Sequence, residues 1–160
     1  SLVRMLSKLK DLQLVIGGKN TTETAKELLE EAEKLGVKNR VFLIGNISEE
    51  QKKYYYTNCE AFVFPSLREG FGLPVIEAML FGKPVFTSNN TSLPEIGGDL
   101  AYYWEHYEPD YMASELERGL RHFSDNKNML EQKLVERAKS FNWDTAAKQY
   151  AKVYQSIISK

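Results

Sequence analysis

The chain has 160 residues, with 21 basic and 22 acidic side chains mixed along it, a formal net charge of -1 and 42% hydrophobic content. That balance excludes a general nucleic-acid binder, which carries a basic face, and it leaves enough apolar material for one packed domain over 1–160. A single cysteine, Cys59, excludes an internal disulfide and fits a reducing, cytoplasmic compartment; no apolar run reaches membrane-spanning length. Leu2, Met5, Leu6 and Leu9 recur at helical spacing and open the chain on an amphipathic helix. Leu12 to Ile16 reads as a strand ended by Gly17-Gly18. Thr21 or Thr22 can cap the next helix, whose apolar face holds Ala25, Leu28, Leu29, Ala32 and Leu35 and which Gly36 stops. Val41 to Ile44 is a second strand. Ser48 with Gln51 matches a capping box, so a helix follows to about Asn58. Ala61 to Phe64 is a third strand. Leu73-Pro74 opens a helix to Phe81, with Gly82 as its stop. Val85 to Thr87, a helical turn at Leu93 to Ile96, and a strand from Leu100 to Trp104 come next. Helices over 109–123, 126–140 and 144–158 close the chain.

Strands alternate with helices, and most strands are continuously apolar. This predicts an α/β fold with a doubly wound, Rossmann-like parallel sheet and helices on both faces. A βαβ chain opens on a strand, whereas this one opens on a helix. The expectation is therefore a piece of a longer protein with the strand before that helix absent, which would leave a gap or an open edge in the sheet.

The segment Pro65 to Met79 carries the clearest chemical signal. It follows the third strand and contains Glu69, the turn Gly70-Phe71-Gly72, the helix start Leu73-Pro74, and Glu77. Ligands in such folds bind beyond the carboxyl ends of the strands. Gly70 and Gly72 let the backbone turn tightly and approach a ligand. The first helical amides lack partners inside the helix and, with the helix dipole, favour an anion such as a diphosphate. The two carboxylates accept hydrogen bonds from hydroxyl groups. On the residues alone, a purely structural turn with a solvated Glu69 and a dipole-favoured Glu77 explains the pattern equally well. Cys59 reads as a small core residue, and Tyr54, Tyr55 and Tyr56 divide between the core and the surface of one helix. Asn89, Asn90 and Thr91 fall in a loop past another strand end. Trp143, Tyr150 and Tyr154 lie on the last helix, where exposed apolar residues are expected, with packing expected for Tyr150.

The ordered series Glu69-Gly70-Phe71-Gly72-Leu73-Pro74, Glu77-Ala78-Met79, Gly82, Pro84-Val85, Ser88 and Pro94-Glu95 resembles the C-terminal domain of retaining glycosyltransferases of the GT-B fold. The resembling group is family 4, the "group 1" glycosyltransferases, whose signature is two glutamates separated by seven residues, as at Glu69 and Glu77. Leu14 to Gly18, Val41 to Gly45, Phe62 to Ser66 and Phe141-Asn142-Trp143 extend the resemblance along most of the chain.

The resemblance implies a UDP-, GDP- or ADP-sugar as donor substrate, with no cofactor and no metal. Glu69 would contact hydroxyls of the transferred sugar, in a positioning role within the catalytic centre. Gly70, Phe71, Gly72 and Leu73 would offer amides to the sugar and diphosphate. Glu77 would accept from the ribose hydroxyls. It also implies an N-terminal domain of the same protein that holds the acceptor, a polysaccharide or glycolipid, and a basic pair in the loop after the first strand. Arg4, Lys8 and Lys10 do not match that pair. The chain alone is expected to transfer no sugar, and peripheral membrane association of the whole protein stays open. A nucleotide-binding or regulatory module without transfer activity is the competing reading. A dehydrogenase-type dinucleotide domain is excluded, because no Gly-x-Gly-x-x-Gly follows the first strand and no acidic residue ends the second.

Overall fold

The computed structural model describes residues 1–158; the last two residues of the domain expected over 1–160 lie outside the described residues. Its helices are α1 (Leu2–Lys8), α2 (Glu23–Lys34), α3 (Glu49–Asn58), α4 (Leu73–Leu80), α5 (Leu93–Gly97), α6 (Pro109–Asp125), α7 (Lys127–Ser140) and α8 (Trp143–Ile158). Its strands are β1 (Leu14–Gly17), β2 (Val41–Gly45), β3 (Phe62–Phe64), β4 (Val85–Ser88) and β5 (Tyr102–Trp104). Single 3₁₀ turns at Lys38–Arg40 and Gly98–Leu100 precede β2 and β5.

Local chemistry accounts for the helix starts. The Thr22 side chain accepts from the Ala25 amide, and Ser48 with Gln51 forms the reciprocal capping box that its spacing predicts. Glu108 accepts from the amides of Asp110 and Tyr111 at the head of α6.

All strand pairs are parallel, as expected, but the strands fall into two sheets. Among the described residues β1 pairs only with β2, and β3-β4-β5 form the second sheet in that order. The fold is α/β and Rossmann-like. Among the described residues no strand pairing joins β1-β2 to β3-β4-β5.

β4 shows what a central strand of such a sheet looks like, since all of its residues are buried. Val85 joins a core with Tyr56, Val75, Met79, Leu93, Ile96 and Leu134, under α3, α4, α5 and α7. Phe86 points to the opposite face, against Met5, Trp104, Met112 and Leu116, under α1 and α6. Phe86 stacks on Tyr102 at 4.7 Å between ring centroids, and the Trp104 indole N–H donates to the Met112 carbonyl at 3.2 Å. α2 packs with α1 around Leu14, Ala32, Val37 and Val41.

In helix α8 the exposure expected for the apolar residues occurs, and Tyr150 alone of the three aromatics departs from expectation. The helix has no buried residue among those described, and Trp143, Tyr150 and Tyr154 are exposed. The packing expected for Tyr150 does not occur: its ring meets only the neighbouring Tyr154 ring among the aromatic contacts, at 6.4 Å. Helical periodicity gave α8 an apolar stripe, but nothing in the described residues lies under it.

Candidate functional site

The loop after β3 and the start of α4 are shaped by the chain around them. Gly72 is the N-cap of α4 and has φ 106°, in the left-handed region that favours glycine. A Cβ there would also lie 2.8 Å from the Leu93 side chain, so both conformation and space call for glycine. Gly70 differs from expectation. It is not among the positive-φ glycines, and nothing lies within 4 Å of a Cβ placed on it. The tight turn is thus made at Gly72, and Gly70 keeps one side of the loop open. Phe71 and Leu73 are exposed, with the Phe71 ring edge-on to Phe141 at 6.1 Å. Pro74 sits in the first turn of α4, where no amide partner is lost.

Glu69 is held from three directions. The Ser66 hydroxyl donates to its carboxylate at 2.7 Å, and its amide donates to the Thr91 hydroxyl at 3.2 Å. The Ser92 hydroxyl donates to the Glu69 carbonyl at 3.2 Å and to the Phe71 carbonyl at 2.8 Å. The buried Ser88 hydroxyl bonds the Ser66 carbonyl, and buried Thr87 donates to the Phe64 carbonyl at 2.9 Å. The end of β4 and its loop therefore brace the loop that carries Glu69. Thr91 holds a left-handed φ of 53°, uncommon for a β-branched residue, and its hydroxyl is the one that meets Glu69. Of the loop residues singled out by sequence, Thr91 joins the site. Asn90 instead donates to Tyr107 at 3.3 Å.

Glu77 sits beyond the first turn of α4, with its side chain 35% exposed. One carboxylate oxygen receives Lys52 Nζ at 2.9 Å and the other receives the Tyr56 hydroxyl at 3.1 Å. Lys52 also pairs with Glu49 at 3.1 Å. The hydrogen bonds that Lys52 donates to Glu77 and Glu49 raise its pKa, so it stays cationic. Burial, and then the adjacent Glu77 charge, push the Tyr56 phenol well above its ordinary value and keep it a donor. Lys52 and Tyr56 were not foreseen as site residues. Their signal is the i, i+4 spacing on α3, which puts both on one face. The arrangement is a pair of pre-oriented carboxylates, Glu69 in the loop before α4 and Glu77 on the helix itself. It can accept several hydroxyl hydrogen bonds at once while the helix start receives an anion.

Cys59 is half-buried, whereas a core position was expected. It caps the end of α3, its thiol donates to the Tyr56 carbonyl at 3.5 Å, and burial pushes its pKa up. Alkylation by iodoacetamide at pH 8 should run at least about tenfold slower than for free cysteine. A rate equal to that of the free amino acid would show the thiol to be accessible. Among the described residues, no group of three or more His, Cys, Asp or Glu side chains could hold a metal ion, and no helix is long and apolar enough to cross a membrane.

The model of the glycosyl transferases group 1 family matches residues 1–141. The chain is 35% identical over 114 residues to O-antigen chain mannosyltransferase B of Escherichia coli, which covers 71% of this chain and 30% of that protein. Sucrose-phosphate synthase from Thermosynechococcus elongatus superposes with a TM-score of 0.83 at 24% identity, over 99% of this chain and 41% of that one. Anabaena Alr3699/HepE, solved in complex with UDP-glucose, gives 0.82 at 21% identity over 97% of this chain and 44% of that one. These two likenesses concern the fold. The chain thus spans well under half the length of the proteins it matches.

Proposed function

Because this chain belongs to the glycosyl transferases group 1 family, we propose that it is the donor-binding domain of a retaining hexosyltransferase. The donor is a nucleoside-diphosphate sugar, with a mannosyl unit the first candidate from the Escherichia coli relative, and the acceptor is a polysaccharide or glycolipid. The observation that carries this reading is the paired setting of Glu69 and Glu77 on either side of the α4 head, each fixed by neighbouring side chains.

In this reading Glu77 accepts from the ribose hydroxyls, with Lys52 and Tyr56 holding it in place. The amides from Gly70 to Leu73 face the sugar and the diphosphate. Glu69 accepts from hydroxyls of the transferred sugar, which excludes donors lacking a matching hydroxyl because its acceptors would be left unpaired. Charge grows on the diphosphate as the glycosidic bond breaks, and donors already fixed at the helix start stabilise it there. Retention follows from front-face attack, with the departing phosphate taking the acceptor's proton. Neither a cofactor nor a metal is invoked. The acceptor site belongs to another domain of the whole protein, whose place at the inner membrane face is part of the same proposal.

The test is calorimetric titration of UDP, GDP, ADP and their sugars into the purified chain. At least one nucleotide should bind, and the chain alone should transfer no sugar. Absence of binding for every nucleotide at millimolar concentration would sink the donor-site reading. Binding by the chain, combined with no transfer by the whole protein across a donor and acceptor panel, would favour the regulatory-module alternative.

A further inference from the structure

Helix α5 is held at both ends by other elements. At its head, the Ser92 hydroxyl donates to the Glu69 carbonyl at 3.2 Å and to the Phe71 carbonyl at 2.8 Å. Leu93 is fully buried, and a Cβ on Gly72 would lie 2.8 Å from its side chain. The head of α5 therefore supports the loop from Glu69 to Gly72. At the other end stands Arg137 of α7. Its Nε donates to the Ile96 carbonyl at 2.6 Å, and a terminal nitrogen donates to the Glu95 carbonyl at 2.5 Å. The guanidinium lies against Gly98, where a Cβ would come 2.7 Å from its central carbon. That carbon also stands 5.6 Å from the centroid of the Phe141 ring, over its face, and Phe141 meets Phe71 edge-on at 6.1 Å.

We propose that Arg137 is a positioning residue for the donor loop, acting through α5 and Phe141 to hold Glu69 and the Gly70 to Leu73 amides toward the sugar. The proposal rests on the donor reading of that loop. A five-residue helix has little stability of its own, so its place depends on the contacts at its ends. Arg137 supplies two of these from a planar fork, which fixes angle as well as distance. A shift of α5 would move Ser92 and Leu93 together, and with them the two carbonyls and the glycine that shape the loop. The Phe141 ring gives a second route from the same cation to the same loop. Both routes end between Glu69 and Gly72, whereas Glu77 is held by Lys52 and Tyr56 of α3. Arg137 is thereby assigned to the sugar side of the site and not to its ribose side. Tyr103 donates to the Gly98 carbonyl at 2.8 Å, so the chain leaving α5 keeps one anchor without the guanidinium.

The test is Arg137→Gln in the 160-residue chain, read by backbone order parameters and by calorimetry with UDP, GDP, UDP-glucose and GDP-mannose. The order parameters of amides 69–72 should fall from about 0.85 to below about 0.6, while those of Lys52 to Tyr56 stay as in the parent. The gain in affinity of a sugar nucleotide over its free diphosphate should shrink about three- to tenfold, the cost of freezing one loosened side chain on binding. Phe141→Leu removes one route only. It should give a smaller loss of the same kind, and it carries the test where Arg137→Gln does not fold. Val41→Ala, in the core cluster around α2, is the control: it should lower the melting temperature and leave the gain unchanged. Parent-like order parameters at 69–72, a loosened loop with the gain intact, or an equal loss of gain in Val41→Ala would each overturn the proposal. If the parent binds none of the four probes, the donor reading falls, while rigid or loosened amides at 69–72 still overturn or support the positioning.

Discussion

Glu77→Ala is expected to weaken nucleoside-diphosphate binding by about 10- to 100-fold, and to weaken it equally for a free diphosphate and for its sugar. The reasoning begins with the carboxylate's partners. Lys52 and the Tyr56 hydroxyl already hold both oxygens, at 2.9 and 3.1 Å, so Glu77 loses little freedom when a ligand arrives. Hydrogen bonds to a charged acceptor contribute about 1.5–3 kcal/mol each, and about 1.4 kcal/mol is tenfold in affinity. A loss of this size corresponds to about one such bond, the other ribose hydroxyl being satisfied by water in the variant. Folding should change little, because the side chain is 35% exposed and its removal opens no core cavity. Glu69→Ala gives the contrasting result. It should leave the free diphosphate bound as before and erase the added affinity of the sugar nucleotide, since its proposed partner is the sugar alone. Calorimetry of both variants with one nucleotide and its sugar separates the two roles. Equal affinity of Glu77→Ala and the parent chain for every nucleotide would remove Glu77 from the site.

Tyr56→Phe sharpens the argument. The ring stacks on Phe81 at 5.6 Å and meets Phe62 edge-on at 5.5 Å, contacts that phenylalanine keeps. Only the hydroxyl that orients Glu77 is lost. A few-fold loss of nucleotide affinity is expected, corresponding to about 0.5–1.5 kcal/mol for one hydrogen bond. A ten-degree fall in melting temperature instead would mark the hydroxyl as part of the core.

What the sequence disclosed, and what it hid, follows from the range of the interactions. Capping at Thr22 and Ser48, the stop at Gly82 and the alternation of strand and helix are local, and the structure has them all. The paired glutamates were legible because the strand, turn and helix start that present them are contiguous. Their supports were not. Thr91 and Ser92 reach the Glu69 loop across more than twenty residues, and Lys52 reaches Glu77 across 25. Such pairs leave no periodic trace. Gly70 shows the opposite error: a glycine beside a turn invites a conformational reading, yet the positive φ belongs to Gly72 alone of the two. Helix α8 shows that an amphipathic period predicts a helix but not a partner for its stripe.

Arg40→Ala is expected to cost about 2–4 kcal/mol of stability, a large share of the roughly 5–15 kcal/mol typical of a folded domain. Nothing in the sequence marks Arg40, which lies in the 3₁₀ turn before β2. Its guanidinium donates from one nitrogen to the carbonyls of Leu9 and Leu12, at 2.9 and 3.2 Å, and from another to the carbonyl of Leu6 at 3.1 Å. The Leu6 carbonyl lies in the last turn of α1 and also accepts from the Leu9 amide at 3.1 Å. The Leu9 and Leu12 carbonyls belong to the link into β1, which turns at Asp11 with a left-handed φ of 59°. One cation thus fastens the end of α1, the link and the start of β2. Its removal takes the charged donor from three part-buried acceptors, of which Leu6 keeps the Leu9 amide, and each group left unsatisfied costs about 1–3 kcal/mol, not additively. Arg40→Lys should recover only part of the loss, because a single ammonium cannot reproduce the spacing of a planar fork. α1 supplies Met5, and the residue after it Leu9, to one core cluster, and α1 supplies Val3 and Leu6 to another, so loosening it disturbs both. Urea unfolding of the three proteins gives the comparison, with amide exchange across residues 2–17 reporting where the damage lies. An Arg40→Ala midpoint equal to that of the parent chain would show that water satisfies these carbonyls as well as Arg40 does.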